Sequence, residues 1–309
     1  MRFNFLTRAK TNGAGIFVQR LQDQFLSNGH KRSWLRPDVQ LTISAPKVHL
    51  NCPKVSLVRV DGVYYDGLKN HLSKKQNVRI KSAIESCDGL ILQSSFSKHL
   101  IEKYLMIDLD NDVDYQVIHN GVPSHYCSKI KFSKGKGIAC ITCANWVPSK
   151  RLDDLITGFL LLDASVYSLT VVGPFDESIQ RKFTANNVKF AGQLDQISLL
   201  NELRKSDVFV FTSYADNCPN AVIEALAVGL PVVCSPVGGT CELVGDHGAL
   251  LESDSELATN SDGLIIPRLD PYDIADKIKQ ASRINRLPHI DFSIVEIAKQ
   301  YEKFFRRFF

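Results

Sequence analysis

The sequence predicts an α/β protein of two domains, and three observations carry that prediction. Short β-branched runs alternate with segments of helical periodicity, the mark of parallel βαβ units. Several of these runs meet glycine-bearing turns, such as Gly173-Pro174 and Gly229-Leu230-Pro231. The 309 residues fit two domains of about 150 residues each better than one compact body.

In the first half, Asn12-Gly13-Ala14-Gly15 leads into Ile16, Phe17, Leu21, Phe25 and Leu26, whose spacing near 3.6 predicts a helix. Strands are predicted at Val55–Val60, Gly89–Gln93 and Tyr115–Ile118, and helices over 69–86 and 96–105. The polar stretch Ser124 to Lys136, rich in Ser, Lys and Gly, reads as an interdomain linker. In the second half, strands are predicted at Gly137–Thr142, Ser168–Val172, Val188–Phe190, Val208–Ser213, Pro231–Ser235 and Gly263–Ile266. Helices are predicted over 151–163, 195–205, 220–228 and from Tyr272 to Arg286. The terminal segment Phe292–Phe309 is amphipathic enough to pack against a core. In open α/β sheets, ligands bind at the carboxyl ends of the strands, so that edge is where a site is expected.

Composition narrows the function. With 44% hydrophobic and 23% charged residues the chain is globular. No run of 18 apolar residues predicts a membrane span, and Met1 to Arg8 lacks the pattern of a secretory signal. The eight cysteines lie mostly in apolar runs, as in Ile138-Ala139-Cys140-Ile141, which reads as reduced core thiols of a cytoplasmic protein. Net charge is only +4, but residues 1–60 hold ten Lys and Arg against Asp23 and Asp38. That asymmetry favours anionic partners, such as phosphates or an anionic membrane surface, unless it is a solvated basic face. No zinc-finger spacing or aromatic-basic interleaving supports nucleic acid as a partner.

Residues 207–235 carry the chemistry: a strand, a turn, a helix beginning at Pro219-Asn220-Ala221, and a second strand. The first N–H groups of such a helix have no intrahelical partner and offer an anion site. Glu224, in its first turns, can bond a ribose diol, and Asp216, on the loop before it, can orient a sugar hydroxyl. A helix-dipole complement and a turn cap explain the same two acids, so residue chemistry alone leaves both readings open.

The segment "DVFVFTSYADNCPNAVIEALAVGLPVVCSPVGGTCELV" resembles the donor site of the retaining glycosyltransferases of GT-B fold, family-4 type, also called group 1. The resemblance lies in two acids separated by seven residues, then Glu224-Ala225, Ala227, Gly229, Pro231 and Val232, then Gly238, Gly239 and Glu242. Asp216 stands where Glu is more usual. The resemblance implies that Glu224 binds the ribose of a nucleotide sugar, that Asp216 lies near the donor sugar, and that the backbone of Asn220, Ala221 and Val222 meets the diphosphate. "CANWVPSKRLDDLITGF" resembles the family's basic element, with Lys150 as the diphosphate-gripping lysine. Asn145 replaces an arginine frequent there, and Arg151 is a candidate to supply the missing charge. "TNGAGIFVQRL" resembles the amino-terminal glycine loop, with Gly13 and Gly15 allowing close approach to phosphate or sugar. "YQVIHNGVP" matches the segment leaving the first domain, with His119 read as structural. In "SLVRVDGVYYD", where relatives often carry a strand-end histidine, Asp61 is the candidate to accept a hydrogen bond from sugar or acceptor; an Asp-Gly turn explains it equally.

Two further signals are set aside. "DLDNDVD" spaces its acids like a calcium loop, but the twelfth position is His119 and the sixth is not Gly. Cys140 and Cys143 have the spacing of a zinc half-site without a second half.

The resemblance therefore implies two Rossmann-like domains facing a cleft: 1–130 on the acceptor side, 131–290 for the nucleotide sugar, and 291–309 as a helix packing back on the first. It implies hexosyl transfer with retention, from a nucleoside-diphosphate sugar to a glycan or lipid-linked hydroxyl, catalysed through Asp216, Glu224, Lys150 and Asp61. No metal or cofactor is called for, because Lys150 and helix N-termini supply the positive charge. The expected location is cytoplasmic, with peripheral contact at the inner face of a membrane through the basic amino-terminal domain. The departures at 145 and 61 keep open a non-catalytic homologue that binds nucleotide or glycan, and a phosphorylase would use the same cleft in reverse.

Overall fold

The computed structural model describes residues 1–7, 13–44, 52–64, 71–127, 137–252, 257–260, 263–286 and 288–309. The chain forms two compact units. The first comprises Met1–Ser124, Ala258–Ile265 and Asp291–Phe309, the second His125–Leu257 and Ile266–Ile290.

In the first unit β1 (Arg2–Leu6) is followed by α1 (Gly13–Ser27), β2 (Lys31–Arg32), β3 (Val39–Ile43) and β4 (Val55–Val60). Then come α2 (His71–Glu85), β5 (Gly89–Leu92), α3 (Ser95–Leu105), α4 (Leu109–Asp112) and β6 (Tyr115–Val117). The six strands form one parallel sheet in the order β2-β1-β3-β4-β5-β6. β3 and β5 are buried along their whole length, as parallel strands covered on both faces by crossover helices should be. The ends of α3 follow from local chemistry. Ser94 accepts from the Ser97 N–H at 3.1 Å at its start, and Met106 stops it in the left-handed region at φ 54°.

The second unit runs β7 (Ile138–Cys143), α5 (Leu152–Phe159), β8 (Tyr167–Val172), α6 (Glu177–Lys182), β9 (Val188–Gly192), α7 (Gln196–Lys205) and β10 (Val208–Phe211). It continues with α8 (Asn220–Ala227), β11 (Val232–Cys234), α9 (Thr240–Val244) and β12 (Gly248–Leu250). After the antiparallel pair β13 (Thr259–Asn260) and β14 (Gly263–Leu264), which lies in the first unit, α10 (Pro271–Ala281) closes it. Its parallel sheet has the order β12-β11-β10-β7-β8-β9. The order reverses between β7 and β10, so the loops after these two strands diverge and leave a crevice at their carboxyl ends. Leu155, Ile156 and Phe159 of α5 pack with Ile274 and Ile278 of α10 and with Val208, Val210 and Val233 of the sheet.

The last helix, α11 (Ile294–Phe305), belongs to the first unit. Its apolar stripe of Ile297, Ala298, Tyr301, Phe304 and Phe305 joins Phe3, Phe5, Phe17 and Phe25 in one core. Phe305 meets the Phe5 and Phe25 rings at centroid distances of 6.2 and 5.7 Å, within the range of favourable aromatic pairs. The helix expected to return to the amino-terminal domain is thus a structural part of it.

Five strands go beyond the sequence reading, β2 and β13 of two residues each among them. β1 carries Asn4 between Phe3 and Phe5, all three buried, and a buried polar residue hides a strand from a hydrophobic count. β3 alternates Gln and Thr with apolar residues, and β12 is only three residues long. The strand predicted at Gly263–Ile266 is corrected to the two residues of β14, paired antiparallel outside the parallel sheets. Of the expected linker, Ser124–Cys127 is a 3₁₀ turn, and the rest lies outside the described residues.

Phe305→Ala should cost about 3–5 kcal/mol of stability, since it opens a cavity among four aromatic rings. Leu161→Ala, at a side chain 46% exposed, should change stability by less than about 0.5 kcal/mol. Urea unfolding of both variants checks the contrast; equal effects would mean that α11 is not part of this core.

Candidate functional site

In the second unit the loops after β7 and β10 meet at the switch point. The backbone there is tightly tied: the Thr212 hydroxyl donates to the Lys150 carbonyl at 2.8 Å, and the Tyr214 N–H donates to the Ser149 carbonyl at 2.9 Å. The Lys150 ammonium contacts Asp216 Oδ2, to which Ser213 Oγ also donates at 2.9 Å. It stands 5.3 Å from the Phe211 ring centroid, near enough for a cation–π contribution. Both charged side chains are about one-fifth to one-quarter exposed, so ligand can reach them. The pair was not visible in the sequence, although both members were.

The Asp216 loop is zipped to the loop after β11. Ala215 N–H donates to the Val237 carbonyl at 3.1 Å and Gly239 N–H to the Asp216 carbonyl at 2.7 Å. Gly238 has φ +122°, and a Cβ on it would lie 2.7 Å from Asp216 O and 2.9 Å from Asp216 N. Only glycine fits both the angle and the space.

α8 begins beside this loop. Asn220 and Ala221 are half-buried in its first turn. Val222 is fully buried, and its N–H already donates to the Pro219 carbonyl at 3.1 Å, so the backbone contact expected there has its donor engaged. Glu224 lies one turn further and is 7% exposed. Its charge reaches the Cys143 thiol at the end of β7, which burial, and secondarily Glu224, push up to about 12. Glu224 is therefore on the sheet side of α8, near the end of β7, and not on a solvated face.

Arg151 is placed differently from the expectation of a phosphate ligand. At φ 53° its backbone is left-handed, and its side chain turns into the protein with 4% exposure. Nε donates to the Thr212 carbonyl at 2.7 Å and Nη1 to the Pro267 carbonyl at 3.3 Å, with Tyr214 stacked at 5.2 Å. Desolvation lowers its guanidinium to about 10, still cationic at neutral pH. Arg151 holds the loops that carry Lys150 and Asp216. Asp154, 2% exposed, ties the 268–269 segment to α5, accepting from the Leu269 N–H at 3.1 Å and pairing with Arg268 at 2.7 Å. Asn145 is exposed.

The first unit carries its own cluster at the carboxyl ends of β4 and β5. Gly13 and Gly15 open α1, Gly15 buried and Gly13 exposed; Thr11 and Asn12 of the glycine loop lie outside the described residues. Asp61 forms an ion pair with Arg59, Nε to Oδ1 at 3.1 Å, and accepts a hydrogen bond from Gln93 Nε2. Arg59 is completely buried, donates through Nη2 to Asn120 Oδ1 at 2.5 Å, and lies 4.1 Å over the Phe17 ring of α1. His119, read as structural, bonds through Nδ1 to the Gln93 carbonyl at 2.8 Å. Sequence reasoning named Asp61 but not Arg59 or Gln93, because a strand-end arginine reads as solvated until the sheet buries it.

Comparison with known proteins defines the class. Over 99% of its length the chain shares the fold of sucrose-phosphate synthase from Thermosynechococcus elongatus, at TM-score 0.68 and 14% identity, covering 98% of that chain. HepE of Anabaena, solved with UDP and glucose, matches at TM-score 0.67 and 14% identity over 99% of this chain and 100% of its own. This is the GT-B fold of two Rossmann-like domains. The family described as Glycosyl transferases group 1 matches residues 137–283, and over this segment the chain is similar to that family.

Among relatives, TuaC of Bacillus subtilis, whose name places it in teichuronic acid biosynthesis, is 43% identical over 60 residues, 19% of this chain and 15% of TuaC. The sulfoquinovosyl transferase SQD2 of Arabidopsis thaliana is 33% identical over 72 residues, 23% of this chain and 14% of its own. The uncharacterized glycosyltransferase MJ1178 of Methanocaldococcus jannaschii is 24% identical over 230 residues, 68% of this chain and 59% of its own. The aligned segments thus span only part of these relatives' lengths.

Arg59→Met should destabilise the protein by about 3 kcal/mol, because it strands Asp61 beside a buried apolar side chain. Asp61→Asn, which can still accept from Gln93, should cost clearly less; urea unfolding that ranks them the other way would contradict the network. All eight cysteines are free thiols. Burial raises Cys87 and Cys127 to about 11, and Cys143 to about 12. These stay protonated at pH 8, and the thiolate is the nucleophile, so a thiol reagent should label exposed Cys52 first. Fast labelling of Cys143 in the native protein would contradict its burial.

Proposed function

We propose that the protein moves a hexosyl unit from a nucleoside-diphosphate sugar to a hydroxyl of a glycan or lipid-linked acceptor, with retention at the anomeric carbon. The observation that carries this reading is an accessible lysine at the sheet's switch point, beside the N-terminus of α8 and a buried glutamate. A diphosphate competes with Asp216 for the Lys150 ammonium, the first turn of α8 at Asn220 and Ala221 adds its N–H groups, and Glu224 takes the ribose diol. The UDP and glucose held by HepE support a donor of this class.

In the proposed reaction the bond between the anomeric carbon and the diphosphate oxygen breaks, its electron pair leaving with the diphosphate. Lys150 stabilises that charge, so the reaction needs no metal ion or cofactor. The acceptor oxygen forms its bond on the same face of the sugar, and its proton passes to a phosphate oxygen of the leaving group. Once Lys150 binds phosphate, Asp216 is released to accept a hydroxyl of the donor sugar. Asp61, oriented by Arg59, is the proposed anchor for the acceptor on the first unit, and Gly13 and Gly15 give the start of α1 close access to sugar or phosphate. The reaction is proposed to run in the cytoplasm, with the basic first unit resting on the inner face of an anionic membrane.

A second reading, a nucleotide- or glycan-binding module without turnover, is favoured by the pairing of Lys150 with Asp216 and by the exposed Asn145. Incubation with UDP-, GDP- and ADP-sugars separates the two: binding by calorimetry without turnover on any acceptor favours the module.

Lys150→Ala should lower kcat/KM by about 10²–10³-fold, the loss of one preorganised charge at the leaving group. Glu224→Ala should chiefly raise the donor KM, and NMR of the product should show the donor's anomeric configuration. Unchanged nucleoside diphosphate release by Glu224→Ala would overturn the site, and an inverted anomer would overturn the mechanism.

A further inference from the structure

A group of basic residues of the first unit, Arg2, Lys31, Arg32 and Lys54 among them, lies at the amino ends of its strands, opposite the end that carries Asp61. Arg2 pairs with Lys31 across β1 and β2, Asp38 N–H donates to the Arg2 carbonyl at 2.8 Å, and Lys54 N–H donates to the Pro37 carbonyl at 3.1 Å. Three connections therefore end on one edge. Arg306, from the turn after α11, borders a cavity of about 390 Å³ there with His30, Asp38, Lys54 and Glu302.

Lys31-Arg32-Ser33-Trp34-Leu35-Arg36, which comprises β2 and the start of the connection to β3, lies beside this edge. Trp34 is 61% and Leu35 76% exposed, and Lys31, Arg32 and Arg36 are exposed with them. The loop is fixed at its base: Ser33 N–H donates to the Phe3 carbonyl at 2.9 Å and Ser33 Oγ to the Leu35 carbonyl at 2.8 Å. The Arg32 guanidinium sits 5.6 Å from the Trp34 ring centroid. Scattered exposed apolar residues are ordinary, but an adjacent Trp and Leu at a loop tip among three cations is not scatter. The acids of the edge are already engaged. Asp38 binds Lys54 at 3.1 Å and the Arg2 N–H at 2.7 Å, and Glu302 binds His30 at 3.0 Å and Asn28 at 2.7 Å. Arg32, Arg36 and Lys31 thus set a positive field around an apolar tip.

We propose that the 31–36 loop is a membrane-docking element: Trp34 and Leu35 enter the boundary between headgroups and acyl chains of an anionic bilayer, and the surrounding basic side chains hold lipid phosphates. This deepens the membrane-contact reading and rests on it, though not on sugar transfer. The chemistry fits lipid better than other polyanions. An indole settles at the water–membrane interface, leucine is drawn further in, and each Lys or Arg near an anionic surface adds about fivefold to binding. Single-stranded nucleic acid would call for a series of stacking aromatics, and the loop offers one. An exposed tip also enters a soft interface more readily than it fills a rigid groove.

The experiment is co-sedimentation of the full chain with vesicles of phosphatidylcholine containing phosphatidylglycerol, against pure phosphatidylcholine. Binding is expected only to the anionic vesicles, and it should weaken as salt is raised. Trp34→Ala with Leu35→Ala should lower it about tenfold or more, and Arg32→Ala about fivefold, with circular dichroism unchanged. In a Trp146→Phe background, the emission of Trp34 should shift to the blue on binding. No binding by the wild type overturns the membrane reading as a whole. Anionic binding that survives the Trp34/Leu35 change, or a Trp34 emission that does not move, overturns the loop as the docking element. Preference for single-stranded DNA over the vesicles would overturn it in favour of nucleic acid.

Discussion

The second unit depends on one backbone contact, the approach of the loop after β11 to the loop after β10 at Gly238 and Asp216. A side chain at 238 would meet backbone atoms of Asp216 within 3 Å, so glycine lets the two loops join through Gly239 N–H and Ala215 N–H. With the loop fixed, the Asp216 carboxylate has a set position, reinforced by Ser213 Oγ. Lys150 then has a fixed counter-ion. From the other side Arg151 grips the Thr212 carbonyl and Thr212 grips that of Lys150. Buried, hydrogen-bonded groups hold an accessible charged pair, which is the preorganisation that charge stabilisation requires.

The two sheets use the same rule with different chemistry. In each unit candidate residues sit at the carboxyl ends of parallel strands, and in the second unit those strands, β7 and β10, flank the point where the strand order reverses. The second unit presents a mobile-length lysine that can exchange partners. The first presents Arg59 and Asp61, and the arginine is fully buried. A buried pair of this kind is weak as a source of stability, but it is strongly directional. That suits a carboxylate that must accept from a ligand hydroxyl in one orientation.

Much of this was legible in the sequence, and what was not has a physical reason. Apart from α6, which the sequence reading does not contain, the elements from β7 to β11 fall within a few residues of their predicted bounds, because β-branched runs and helix-start chemistry agree locally. Asp216, Glu224 and Lys150 stood out by spacing and by family resemblance. Their contact did not, since Lys150 and Asp216 are 66 positions apart and meet only through the strand order. Arg151 misled because it directly follows Lys150 and reads as a substitute for the charge missing at Asn145; its left-handed backbone, invisible in the sequence, turns it inward. Arg59 was not singled out, because burial at a sheet centre is decided by the neighbours of β4. Asn4 hid β1 in the same way.

The central claim is that Lys150 at the switch point of the second unit binds the diphosphate of a nucleotide. Its most direct test is calorimetric titration of UDP, GDP and ADP, with the corresponding nucleosides as controls, into wild type and Lys150→Met. One nucleoside diphosphate should bind the wild type far better than its nucleoside, and Lys150→Met should lose most of that difference while keeping the nucleoside affinity. Equal diphosphate affinity in wild type and variant would contradict the account.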